Sequence, residues 1–180
     1  MRNWPSIQFD RLGGPRLLAE VDCWYVSLHS YSRHTCRDAC RKLAEQGKSM
    51  NVYGHVPDID ADTGSEARKR FVPLWIERIR RYLPWTGTMW NFDDPFGGSA
   101  GMLHLIYPGQ PVGYDGPVLS IRLKHWRRAL LDVEYLQLAS KRIGRHRAVQ
   151  LARDALARTT PQAWLEFKKR LAATILKDAS

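Results

Sequence analysis

A chain of 180 residues with 44% hydrophobic side chains is long enough to bury a core and too apolar to be disordered throughout. It is too short for a complete eight-stranded α/β barrel, which takes about 250 residues. The 28 Lys and Arg against 18 Asp and Glu leave a net charge of +10, which suits phosphates or acidic surfaces and equally a solvated basic helical face.

Three cysteines, Cys23, Cys36 and Cys40, are too few and odd in number for a disulfide framework. Cys36 and Cys40 stand four apart near His34 but lack the fourth ligand of a zinc site, so no metal is expected. No Gly-rich phosphate loop or dinucleotide fingerprint occurs, and no cofactor is expected. No apolar run approaches the roughly 18 residues of a membrane span, and no secretory signal opens the chain. The expected location is cytoplasmic unless a targeting segment lies upstream.

Residues 1–20 read as an irregular lead, broken by Gly-Gly-Pro at 13–15. Residues 21–28, VDCWYVSL, are rich in β-branched and aromatic side chains and predict a buried strand. A helix is expected over 35–46, stopped by Gly47. Residues 49–56, SMNVYGHV, predict a second strand, with Asn51, Tyr53 and His55 on one face and Met50, Val52 and Gly54 on the other. After an acidic turn-rich loop at 57–65, apolar residues at helical spacing predict a helix over 66–83, with Pro73 marking its start or a kink. A third strand is expected at 86–92, TGTMWNF, followed by a glycine-rich loop over 93–100.

The stretch from 101 to 138 organises the chain. It reads as an apolar extended arm, a turn-rich loop with six Gly or Pro residues over 107–117, and a helix capped by Ser120. Leu123, Trp126, Leu130, Val133 and Leu136 predict the buried face of that helix. Two more helices are expected at 139–158 and 161–177, the second with Thr160 as cap and Pro161 at its first position. Alternation of strand-like and helix-like runs predicts an α/β fold with parallel strands.

The motifs YPG at 107–109, GPV at 116–118, SIRL at 120–123 and DVEYL at 132–136 occur in a recognisable order. Through Tyr107, Pro108, Gly109, Gly116, Pro117, Ser120, Ile121, Arg122, Leu123, Arg127, Asp132, Glu134, Tyr135 and Leu136, the chain resembles an uncharacterised C-terminal domain. That domain accompanies the catalytic barrel of glycoside hydrolase family 123, the N-acetyl-β-galactosaminidase-like enzymes. The resemblance implies a partial (β/α)8 barrel over 21–138, an irregular lead over 1–20 and a helical extension over 139–180. It also implies a hexosaminidase-like role in carbohydrate processing. The family uses an adjacent Asp–Glu pair from an earlier barrel strand, and this sequence contains none. The chain is therefore expected to be a fragment without catalytic activity of its own.

Sites of such barrels lie at the C-terminal ends of the strands. Tyr53, Trp90 and Trp24 are the candidate faces for stacking a sugar, although large aromatics such as the two Trp more often fill a core. His55 is a candidate for a sugar hydroxyl, and Asp93 and Asp94 are an adjacent carboxylate pair in a loop. The expected partner is an amino sugar. Alternatives are a nucleic acid or other acidic ligand on the segment KRIGRHR, 141–147, and a scaffold that self-associates through an open sheet edge.

Overall fold

A computed structural model describes residues 20–55, 64–85, 87–88, 104–158 and 160–176. These divide into two units, one of residues 20–55 and 79–85 and one of residues 64–78 and 87–176.

In the first unit, strand β1 (Cys23–Ser27), helix α1 (Leu28–Tyr31), helix α2 (His34–Glu45), strand β2 (Ser49–Gly54) and strand β3 (Tyr82–Pro84) follow in chain order. The sheet has the order β1-β2-β3 and both pairings are parallel. Trp24 lies opposite Met50 and Val26 opposite Val52, and all four are buried. The α2 helix packs against β2, with Cys36, Cys40 and Leu43 buried. Ser27 closes β1 and starts α1, its hydroxyl accepting from the backbone N–H of Ser30 at 3.1 Å. Gly47, at φ 85°, ends the helical run in a conformation that a side chain would strain.

The second unit is built around one long helix. Helix α3 (Glu66–Ile76) comes first, then the antiparallel hairpin of β4 (Ile106–Pro108) and β5 (Pro117–Leu119). Helices α4 (Ile121–Ile143), α5 (Arg145–Arg158) and α6 (Pro161–Leu176) complete it. The α4 helix packs against α3, α5 and α6. Ser120 caps α4, as its sequence position predicts, by accepting from Leu123 N–H at 3.2 Å. Thr160 does the same for α6 through Ala163 N–H at 3.1 Å. The core holds Val72, Trp75, Leu136, Trp164, Phe167 and Leu171, with Ala148, Ala152 and Ala155 giving α5 a smooth face for close approach. Gly144 at φ 78° separates α4 from α5.

The mixed α/β class and the parallel pairing of the first strands agree with the sequence. Among the described residues the parallel sheet has three strands, and no closed barrel is found. The helix expected to run to 83 ends at Ile76, and the third strand lies at Tyr82–Pro84. Arg78 breaks the helix by adopting φ 63°. Pro84 biases its predecessor towards extended backbone, and a short edge strand tolerates a proline. Of the strand expected at 86–92, residues 87 and 88 are in no strand and the rest lie outside the described residues.

The buried face of α4 is also turned from its predicted position. Arg122, Trp126, Ala129, Asp132, Leu136 and Ala139 are buried, while Leu130 is 47% exposed. A hydrophobic count cannot find a buried stripe containing an arginine and an aspartate, and this is why Leu130 looked internal. Trp126 meets Phe71 edge to face at 5.0 Å between centroids. Replacing Trp126 with Ala is expected to cost about 3–5 kcal/mol in chemical denaturation. Leu130→Ala should stay within about 0.5 kcal/mol, as for a surface position; equal losses at the two sites would contradict the face assigned to α4.

Candidate functional site

In the first unit, the C-terminal ends of β2 and β3 bring together exposed and half-buried side chains suited to a ligand. It starts from a glycine. A Cβ on Gly54 would stand 2.8 Å from the Tyr82 hydroxyl and 3.0 Å from Leu28 Cβ. Glycine therefore lets Tyr82 lie across the end of β2, where its hydroxyl donates to the His55 carbonyl at 3.0 Å. The same turn is tied by Trp85 N–H, which donates to the Gly54 carbonyl at 2.7 Å.

These bonds bring three side chains together. The Trp85 ring lies 5.9 Å from that of Tyr53, tilted by 40°. It lies 6.5 Å from the His55 imidazole, nearly edge on at 70°. Trp85 is 52% exposed, His55 is exposed and Tyr53 is half-buried. An aromatic wall with an imidazole beside it can cover the C–H face of a pyranose and bond one hydroxyl. None of the three is a carboxylic acid.

Of the residues singled out by sequence, Tyr53 and His55 are brought together here. Trp24 is not part of the site: it is 8% exposed, and its indole N–H donates to the Val21 carbonyl at 3.0 Å. Its partly apolar strand position suited either role, and packing against the buried face decided it. Asn51 shares the polar face of β2 but is wholly buried, with its amide donating to the Trp24 carbonyl at 3.3 Å. Trp90, Asp93 and Asp94 lie outside the described residues. Trp85 is the residue that sequence reading missed. Pro84 was the available signal, because a proline there argues for extended chain and thus for a strand end at 85.

In the second unit, the residues of the motifs between 107 and 136 form a frame. Gly109 is enclosed: a Cβ there would stand 2.2 Å from the Gly116 carbonyl and 2.6 Å from that of Tyr114. Arg122 is fully buried, and its guanidinium donates to the Tyr107 hydroxyl. The Tyr107 ring meets His104 edge to face at 5.4 Å. Asp132 is fully buried and ion-paired with Arg68, whose guanidinium also lies 5.7 Å from the Trp164 ring centroid. Tyr107, Gly109, Ser120, Arg122 and Asp132 thus fix a hairpin to a helix and a helix to its neighbours.

The basic segment 141–147 is also partly structural. Arg145 stacks over Trp75 at 4.4 Å and donates to the Trp75 carbonyl at 2.7 Å and the Ile76 carbonyl at 3.2 Å. It supplies the missing partners at the C-terminal end of α3, where a cation suits the helix dipole. Burial, reinforced by the charge of Arg78, holds its guanidinium below the ordinary value. The other cations of the segment, Lys141, Arg142 and Arg147, are exposed.

Cys36 and Cys40 are buried neighbours on α2. A hydrogen bond from Cys40 holds the Cys36 thiol below its ordinary range, against burial and with help from Arg33, while the Cys40 thiol is pushed up by the same bond and by burial. Among the described residues no three His, Cys, Asp or Glu side chains converge as a metal site would need. No described helix is long and apolar enough to cross a membrane. No protein-family model and no curated protein matches this sequence.

Burial, and then the charge of Arg122, holds the His104 imidazole below its ordinary value. The fold therefore keeps His104 neutral, whereas the unfolded chain protonates it near pH 6.5. Its contribution to stability is present above that value and is lost as the pH falls below it. Denaturation midpoints taken between about pH 7.5 and pH 5 should fall in the native protein and fall less steeply in His104→Gln. An unchanged slope in the variant would mean that His104 is not held neutral by the fold.

Proposed function

We propose that this chain is a carbohydrate-binding, hexosaminidase-related segment of a (β/α) barrel, with Tyr53, His55 and Trp85 as its sugar contacts. One observation carries the reading: an exposed tryptophan and a half-buried tyrosine, 5.9 Å apart, stand at the C-terminal ends of adjacent parallel strands. Ligands of parallel α/β sheets bind at that end. The barrel part of the proposal is supported by the uniform parallel order β1-β2-β3, which is what consecutive strands of such a barrel have. The motif resemblance at 107–136 supports the enzyme family, and its residues contribute framework here instead of chemistry.

The chain is proposed to bind and not to hydrolyse. Cleavage of an N-acetylhexosaminide by the family's route needs one acid to orient the acetamido group and another to protonate the leaving oxygen. The sequence has no adjacent Asp–Glu pair to do this. Asp93 and Asp94 are adjacent, but they stand in a glycine-rich stretch of the sequence and include no glutamate, so they are proposed to be a poor substitute for that pair.

An open aromatic patch binds a monosaccharide weakly, with a dissociation constant on the order of millimolar, or about −4 kcal/mol. Titration with N-acetylgalactosamine, followed by amide and indole NMR signals, should shift Tyr53, His55 and Trp85 and leave the α4–α6 helices unmoved. Trp85→Ala should abolish the shifts. Raising the salt to physiological levels should change the affinity little, whereas an electrostatic ligand would be lost. Shifts centred on Arg142 and Arg147 instead would contradict the sugar reading and favour the acidic-ligand one. Turnover of an aryl N-acetylhexosaminide should be absent; robust hydrolysis lost in both Asp93→Asn and Asp94→Asn would make that segment a catalytic centre.

A further inference from the structure

Helix α2 carries two cysteines one turn apart. Cys36 and Cys40 are separated by four positions, so their side chains lie on the same face of the helix. Both are buried, at 6% and 3% exposure, and the Cys40 thiol donates a hydrogen bond to the Cys36 sulfur. The two sulfurs are therefore in contact before any ligand arrives.

The surroundings favour a thiolate at Cys36. It stands in the first turn of a helix that has no acid in that turn and no side-chain cap, so the positive end of the helix dipole is unanswered. The charge of Arg33, the residue at the cap position, acts on the same sulfur. Further ligands are lacking among the described residues. His34 is held by Asp38 through Nδ1 at 2.9 Å and is 80% exposed. Cys23 is exposed, and its sulfur accepts from the Asn51 amide at 3.2 Å. Zinc, which takes four ligands, is thus not served. A disulfide does not fit a regular helix either. Cβ atoms one turn apart are separated by about 5–6 Å, and a disulfide needs about 3.5–4.5 Å.

We propose that Cys36 and Cys40 form a two-coordinate site for a soft monovalent metal ion, copper(I). Thiolates select soft ions, and copper(I) is satisfied by two sulfurs in a line. The ion takes the place of the hydrogen that bridges the sulfurs. Both thiols release their protons to solvent and no electron is transferred. The pair passes from neutral to a single negative charge, which Arg33 and the helix dipole offset. Burial keeps water and a third ligand away from the ion. Helix ends fray, so the first turn gives an entry at Cys36. None of these residues belongs to the sugar site, and the two readings stand or fall separately.

The test uses the full, reduced chain and copper(I) alone, offered in competition with the chromogenic chelator bathocuproine disulfonate. The chain should retain a single equivalent, and X-ray absorption at the copper edge should show two sulfur neighbours and no nitrogen. Cys36→Ser and Cys40→Ser should each weaken retention by at least about 100-fold, since even outer-shell changes cost about 10–100-fold. Cys23→Ser should leave it unchanged, and circular dichroism checks that the variants stay folded. A native protein that yields its copper to the chelator would overturn the proposal without any variant. So would a third sulfur or a nitrogen at the metal, or equal retention of zinc. Retention undiminished in Cys36→Ser or Cys40→Ser, or lost in Cys23→Ser, would place the metal elsewhere and overturn it too.

Discussion

The helical unit depends on one buried ion pair. Asp132 lies in the middle of α4 with no exposed surface, and Arg68 of α3 is its partner. A buried pair of this kind adds little over a well-packed apolar pair, yet removing one member leaves a charge in a poor solvent at a cost of about 3–5 kcal/mol. Its effect is thus one of register. The α3 helix can dock on α4 only where Arg68 reaches Asp132, and the guanidinium also faces Trp164 of α6. Three helices are aligned through one side chain. Arg145 works similarly, closing the end of α3 from the start of α5.

In the sheet unit the governing constraint is steric. Gly54 leaves room for Tyr82, and Tyr82 then fastens the end of β2 through the His55 carbonyl. The Trp85 backbone bond to Gly54 completes the turn. The Tyr82 hydroxyl and the Trp85 backbone bond hold the turn, while the Trp85 side chain remains 52% exposed. This exposure matters for the proposed function, because a ring spent on core packing, as Trp24 is, has no face left to offer.

Much of the fold was legible in the sequence, and the failures share a cause. Local signals placed β1, β2, α2 and the caps at Ser120 and Thr160, because alternation, a stopping glycine and a hydroxyl before a helix act within a few residues. The end of α3 was misplaced because Ile79 and Tyr82 continue its apolar spacing, while pairing of Tyr82–Pro84 with β2 is a tertiary event. Leu130 was misassigned because Arg122 and Asp132 are buried only by virtue of partners distant in sequence, Tyr107 and Arg68. Tyr53 and His55 could be placed on one strand face from alternation alone. Trp85 could not, since its position follows from where β3 lies, and Pro84 was the one local hint.

The central claim is that Tyr53, Trp85 and His55 form a sugar platform. A crystal structure of the 180-residue protein soaked with N-acetylgalactosamine addresses it most directly. The account predicts a pyranose ring lying against the Trp85 face, with a hydroxyl in hydrogen-bonding range of His55 and the Tyr53–Trp85 pair still in contact. Sugar bound elsewhere on the molecule, or Trp85 turned away from Tyr53 and packed into the core, would contradict it.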